Sequence, residues 1–95
     1  MATIGVITLE MRITESHSLK DKRHFVKSLK DRLRRRCNVA VSEIDYQEVW
    51  QRGLVAAVTV APHRGVAART LQAVEEEAVS ILGPYLIDVT VEWLE

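Results

Sequence analysis

A single cysteine in 95 residues, Cys37, excludes an intramolecular disulfide and any CxxC metal or redox pair, as expected in a reducing compartment. Two prolines and four glycines are too few to mark out a linker, and no repeat or low-complexity segment divides the chain. Thirteen basic and thirteen acidic side chains leave no net charge, which removes any long-range pull on a charged partner. Met1 to Gly5 lacks the basic flank and long apolar run of a signal peptide, so the protein is expected to stay in the cytoplasm where it is made. A hydrophobic fraction of 47% with 27% charged residues is ordinary for a globular protein and argues against both disorder and a membrane partner. Residues 1–95 are therefore expected to form one domain, large enough to bury a core without a disulfide or a structural metal.

What is present is a clear alternation of two periodicities. Ile7, Leu9, Met11 and Ile13 alternate with Thr8, Glu10 and Arg12, the pattern of a half-buried strand. Ile4 and Val6 are out of phase with that set, so either the strand begins with both faces covered or a bulge lies near Val6 and Ile7. Ser18 followed by Asp21 reads as an N-cap with a carboxylate in the first turn of a helix from about Leu19 to Arg36. Leu19, Val26, Leu29, Leu33 and Cys37 form its apolar stripe, with Phe25 at the margin.

A second strand opens with Val39 and Val41, with Ile44 and Tyr46 beyond, and the polar turn of residues 47–51 is closed by Gly53. Leu54 to Ala61 is apolar almost throughout, as in a central strand covered on both faces, and Pro62 ends it. Ala67, Leu71, Val74, Ala78 and Ile81 mark a second helix that Gly83 and Pro84 stop. A final strand places Ile87, Val89, Val91 and Trp93 inward. The order β-α-β-β-α-β predicts an α+β, ferredoxin-like split βαβ fold, with two helices on one face of a four-stranded antiparallel sheet. Right-handed crossovers then make the first and third strands central.

Zero net charge hides a strong asymmetry. Residues 19–37 carry Lys20, Lys22, Arg23, Lys27, Lys30, Arg32, Arg34, Arg35 and Arg36 against only Asp21 and Asp31, a segment charge of +7, so the remainder is −7. Lys20, Arg23, Lys27, Lys30 and Arg34 recur every three or four residues and form a ridge of about 20 Å beside the apolar stripe. Arg35 and its neighbours extend the patch to the negative end of the helix dipole. Such a ridge can neutralise successive phosphates without reading bases, which makes RNA or a ribosomal particle a candidate partner. Three other readings compete: a merely solvated face, ion pairs to Glu75 and Glu77 (with Lys22 and Arg36 the best placed), and a protein-interaction module or homodimer that assembles through the sheet face or its acidic and basic halves.

No catalytic or cofactor constellation stands out. His17, His24 and His63 have no metal-ligand spacing. Ser16, Ser18, Ser28, Ser42 and Ser80 lack the elbow glycines of a hydrolase nucleophile, and no phosphate-binding glycine loop occurs. His63, Arg64 and Gly65, before the second helix, are a weak anion signal. Neither central strand carries an aromatic residue, so the sheet is no base-stacking platform. Cys37 reads as a small core hydrophobe, the alternative being a nucleophile or ligand. Trp50 reads as a cover over one end of the core, the alternative being an exposed recognition surface. No small-molecule ligand is evident, and an enzymatic activity has no motif in its favour.

Ser18-Leu19-Lys20-Asp21-Lys22-Arg23, Val26-Lys27-Ser28-Leu29, the run from Asn38 to Gln47 and Trp50-Gln51-Arg52 together resemble the YlxP-like family of small bacterial proteins. The chain departs from the family's usual pattern at Cys37, Ala40 and Pro62-His63. The resemblance implies a ferredoxin-like fold and a bacterial cytoplasmic protein, often encoded among transcription and translation factors. It implies no catalytic residue. That company favours RNA as the partner of the ridge, by association only.

Overall fold

The computed structural model describes residues 1–94. The chain forms strand β1 (Thr3–Arg12), helix α1 (Leu19–Arg36), strands β2 (Ala40–Asp45) and β3 (Arg52–Ala61), helix α2 (Arg64–Leu82), a 3-10 turn (Gly83–Tyr85) and strand β4 (Leu86–Leu94). All pairings are antiparallel and the sheet order is β2-β3-β1-β4, so β1 and β3 are central, as the crossover rule requires. Both helices pack on one face, giving the ferredoxin-like arrangement.

The core is the meeting of the two periodicities. Ile7, Leu9 and Met11 of β1 with Val55 and Ala57 of β3 face Leu29 and Leu33 of α1 and Val74 and Ala78 of α2, and none of these nine is measurably exposed. Each large side chain among them contributes about 1.5–3 kcal/mol of burial. The stripe of α2 ends on Leu82, 2% exposed, rather than Ile81, because one more full turn points the i+4 residue at the sheet. The Ser18 hydroxyl accepts a hydrogen bond from the Asp21 amide at 3.1 Å, and the Asp21 carboxylate accepts one from the His17 amide at 3.1 Å, so the start of α1 is closed from both sides. Gly83, with φ of 52°, takes a left-handed conformation at the end of α2 that a side chain would strain.

Glycine has a different role at Gly5. A Cβ there would lie 2.9 Å from both Leu71 Cδ1 and Trp93 Cζ3, so the missing side chain is what lets α2 and the β4 indole close over β1.

Several expectations are corrected. β1 has no bulge at Val6 and Ile7: its register with β3 is continuous from Thr3 to Arg12, Thr3 and Gly5 continue the inward phase, and Ile4 and Val6 lie on the outer face. The irregularity is instead between β1 and β4 at Glu10/Met11, where Ile87 is extruded and half exposed. β2 begins at Ala40 and ends at Asp45; Ile44 is a bulge residue, and Tyr46 lies in the turn with φ of 62°. Gly53 is not a turn closure but an inward position of β3, opposite Met11.

β3 is covered on one face only, with Val58 and Val60 37% and 60% exposed on the other. Its continuous apolar run therefore reflects an uncovered outer face. Ile4 pairs with Val60 and Leu94, and Val6 with Val58, so these side chains form one apolar patch on the outer sheet. The other end of that face is charged: Arg52 donates to Glu10 at 2.6 and 2.8 Å and its guanidinium lies 4.2 Å from the centre of the Tyr46 ring.

Candidate nucleic-acid interface

α1 holds its cations on the flank turned toward the edge strand β2. Arg23, Lys27, Lys30 and Arg34 line an open groove of about 340 Å³, with Val26 at its floor and Glu43 on its β2 wall. Lys20 continues the ridge one turn toward the helix start and is exposed. The five residues expected to form a ridge are thus brought together on one flank. Arg35 lies further round the helix, lining a second groove with Ser28, Asp31, Arg32, Arg34 and Ile81, so it joins the ridge through Arg34 and Asp31 rather than on the β2 flank.

Ion pairing sorts these residues further. Arg32 and Arg36 reach Glu77 of α2 at 3.0 and 3.4 Å, the intramolecular pairing expected for Arg36. Lys27 lies 2.8 Å and Arg34 3.7 Å from the Asp31 carboxylate. The Lys27 hydrogen bond, with the positive charges of Lys27, Arg34 and Arg35, holds the Asp31 carboxyl below its ordinary value. Among the described residues, Lys20, Arg23, Lys30 and Arg35 have no ion-pair partner. Arg34 also donates to the Val41 carbonyl at 2.9 Å, which fixes the C-terminal half of the ridge against β2.

Lys22 is the residue that sequence reasoning placed wrongly. It is fully buried, its ammonium 2.7 Å from Glu43 of β2 and not on the acidic face of α2, and it donates a short hydrogen bond to the Tyr46 carbonyl. A helical period sets position 22 inside the Val26, Leu29 and Leu33 arc, and that angular position is the signal that it points inward.

The loop after β2 is strapped down. Besides the Lys22 contact at Tyr46, the Gln51 side-chain amide donates to the Thr14 and Ser16 carbonyls at 3.1 Å each, and the Ile13 amide donates to the Gln51 carbonyl at 2.9 Å. Trp50, on that loop, is 53% exposed and does not cover the core. Trp93 is the indole that packs against the core, and Arg64 lies 4.5 Å from the centre of its ring, so the arginine of the His63 to Gly65 turn is engaged there. Cys37 is the C-cap of α1 and packs against the core, in keeping with a small hydrophobe; burial, and then the Glu77 charge, push its thiol up from 9.0.

No helix among the described residues is long and apolar enough to cross a membrane. A family model described as "Protein of unknown function (DUF503)" matches residues 4–90. The chain belongs to this family. A DUF503-family relationship agrees with its similarity to "Uncharacterized protein YlxP" of Bacillus subtilis (strain 168), 37% identical over 71 residues that cover 75% of this chain and 77% of that protein. Among solved structures it is similar to the designed protein Foldit4, with TM-score 0.63 and 11% identity over 100% of this chain and 98% of the other. It is also similar to a dimeric ferredoxin-like protein of unknown function from Thermobifida fusca, with TM-score 0.55 and 16% identity over 98% and 90% of the two chains. These two likenesses concern the fold.

Proposed function

We propose that the protein is a non-catalytic, cytoplasmic RNA- or ribosome-associated protein that docks the β2-side flank of α1 on phosphates. The observation that carries this reading is the ridge of Lys20, Arg23, Lys27, Lys30 and Arg34, of which three have no acidic partner among the described residues and two share only Asp31. Other acids near the helix are already engaged: Glu43, on the β2 wall of the groove, is paired with the buried Lys22, Glu77 is taken by Arg32 and Arg36 on the opposite flank, and Glu10 is on the outer sheet face with Arg52. The protein is therefore polar as a whole, and a phosphate backbone meets it in one orientation.

The test is binding to structured RNA and to ribosomal particles across a salt series. If all five cations meet duplex phosphates, log affinity falls with log salt at a slope of roughly −4 to −5. The Lys27→Glu, Lys30→Glu variant is expected to bind more weakly and with a shallower slope. Salt-insensitive binding, or a variant equal to wild type, overturns the reading.

A second reading has its own observation. The outer-face patch of Ile4, Val6, Val58, Val60 and Leu94 includes side chains 37–61% exposed on an uncovered sheet face, which suits a homodimer formed sheet to sheet. The Thermobifida fusca neighbour of the same fold is described as dimeric. Sedimentation of wild type and Val60→Lys decides it: a dimer that dissociates in the variant supports the reading, and a wild-type monomer at high concentration removes it.

A further inference from the structure

We infer that Trp50 is a stacking site for an unpaired RNA base, placed at the N-terminal end of the α1 ridge; the inference rests on the phosphate-docking reading above. The chain path fixes the placement. β2 leaves the C-terminal end of α1 and runs back along it: Val41 accepts from Arg34, Glu43 pairs with Lys22 about 18 Å of helix nearer its start, and the turn at Tyr46 is held by Lys22 near the start of α1. The loop of residues 46–51 therefore lies beside the start of α1, where Lys20 and Arg23 begin the ridge, and Gln51 is bonded to the Thr14 and Ser16 carbonyls just ahead of the helix.

Rigidity separates this tryptophan from a loose surface side chain. Tyr46 keeps a positive φ of 62°, its amide donating to Asp45 Oδ1 at 2.7 Å and its ring under Arg52. Backbone in that region is strained for a side-chain-bearing residue and persists where neighbours hold it. A loop held at Tyr46 and at Gln51 leaves little backbone ordering to do when the intervening, exposed indole meets a ligand. Trp50 is also the one aromatic among the large hydrophobic side chains exposed on the described residues, and the Tyr46 ring of the same loop is already taken by Arg52.

The chemistry of the ligand follows from what adjoins what. Cations on the ridge take phosphates, and an exposed aromatic face at the end of the row takes a base that has left its helix, as at a loop or a single-stranded end. A fully paired duplex supplies the phosphates and no free base. The site thus selects RNA in which a paired stem passes into an unpaired segment.

The test compares an RNA hairpin carrying a single-stranded uridine loop with a blunt duplex of the same stem. Trp50→Ala is expected to weaken hairpin binding by roughly 5- to 150-fold, with duplex binding and the salt slope unchanged. Trp50→Phe, which keeps an aromatic face, is expected to restore most of the loss, and thermal unfolding checks that each variant is folded. If Trp50→Ala binds the hairpin as wild type does while Lys27→Glu, Lys30→Glu loses both RNAs, stacking is overturned and the ridge stands. If the ridge variant binds both RNAs as wild type does, the ridge reading falls and stacking falls with it.

Discussion

Asp31 is a carboxylate of α1 set among the ridge cations, and its two neighbours show what it does there. Lys27 and Arg34 both turn toward it, although Lys27 is 76% exposed and free to point elsewhere. Such an exposed pair is weak, so a phosphate competes with it easily. Asp31→Asn is expected to tighten RNA binding several-fold at low salt and to steepen the salt slope by up to about one, read from binding isotherms against wild type. Lys22 is the opposite case, a cation committed inward. Lys22→Ala strands the Glu43 carboxylate and the Tyr46 carbonyl and is expected to cost about 3–5 kcal/mol in chemical denaturation. Replacing both members, as Lys22→Met with Glu43→Leu, is expected to recover much of that loss, since the buried charge goes with its partner.

At the scale of elements, the parts of the fold written in the sequence are those where one side of an element meets the core and the other meets water. The Ile7, Leu9 and Met11 alternation of β1, the Ser18 cap and the Ala67-Leu71-Val74-Ala78 stripe are of that kind, and the structure contains them as expected, with β1 ending at Arg12. β3 misled because its outer residues are apolar without being covered, and an apolar run looks the same in either case. The ridge was legible as helical spacing, whereas the inward turn of Lys22 depends on how far α1 is rolled against the sheet. Trp50 was legible only as an isolated tryptophan, since the straps that hold its loop out come from residues 14–16 and 22, distant in sequence. Contact between elements also gives a prediction. Gly5→Ala pushes a methyl into Leu71 and Trp93 at 2.9 Å and is expected to cost about 1–3 kcal/mol, measured by thermal melting with a loss of Trp93 packing in near-ultraviolet circular dichroism.

The molecule as a whole should respond to pH at both ends of the scale. On the acid side, Asp31 has a folded pKa below its ordinary 3.8, so its contribution is present above that value and is lost as pH falls through the folded one. On the alkaline side, Cys37 and Tyr85 bind their protons more tightly when folded, Cys37 chiefly by burial and Tyr85 by burial and its bond to Glu15. The unfolded chain releases those protons first, so stability is expected to decline as pH rises through about 9.0 and then 10.0. Urea midpoints taken from pH 3 to 11 should show a plateau between these limits. A midpoint that rises above pH 9 contradicts the assignment.

The bond from Arg34 to the Val41 carbonyl also bears on how copies of the chain behave toward one another. β2 is an edge strand, and a bare edge invites a second strand to add to the sheet. A guanidinium seated on one of its carbonyls hinders that growth, so the side chain proposed to meet a phosphate also covers part of the sheet edge. Arg34→Ala is therefore expected to bare the Val41 carbonyl of this edge as well as to remove a cation from the ridge.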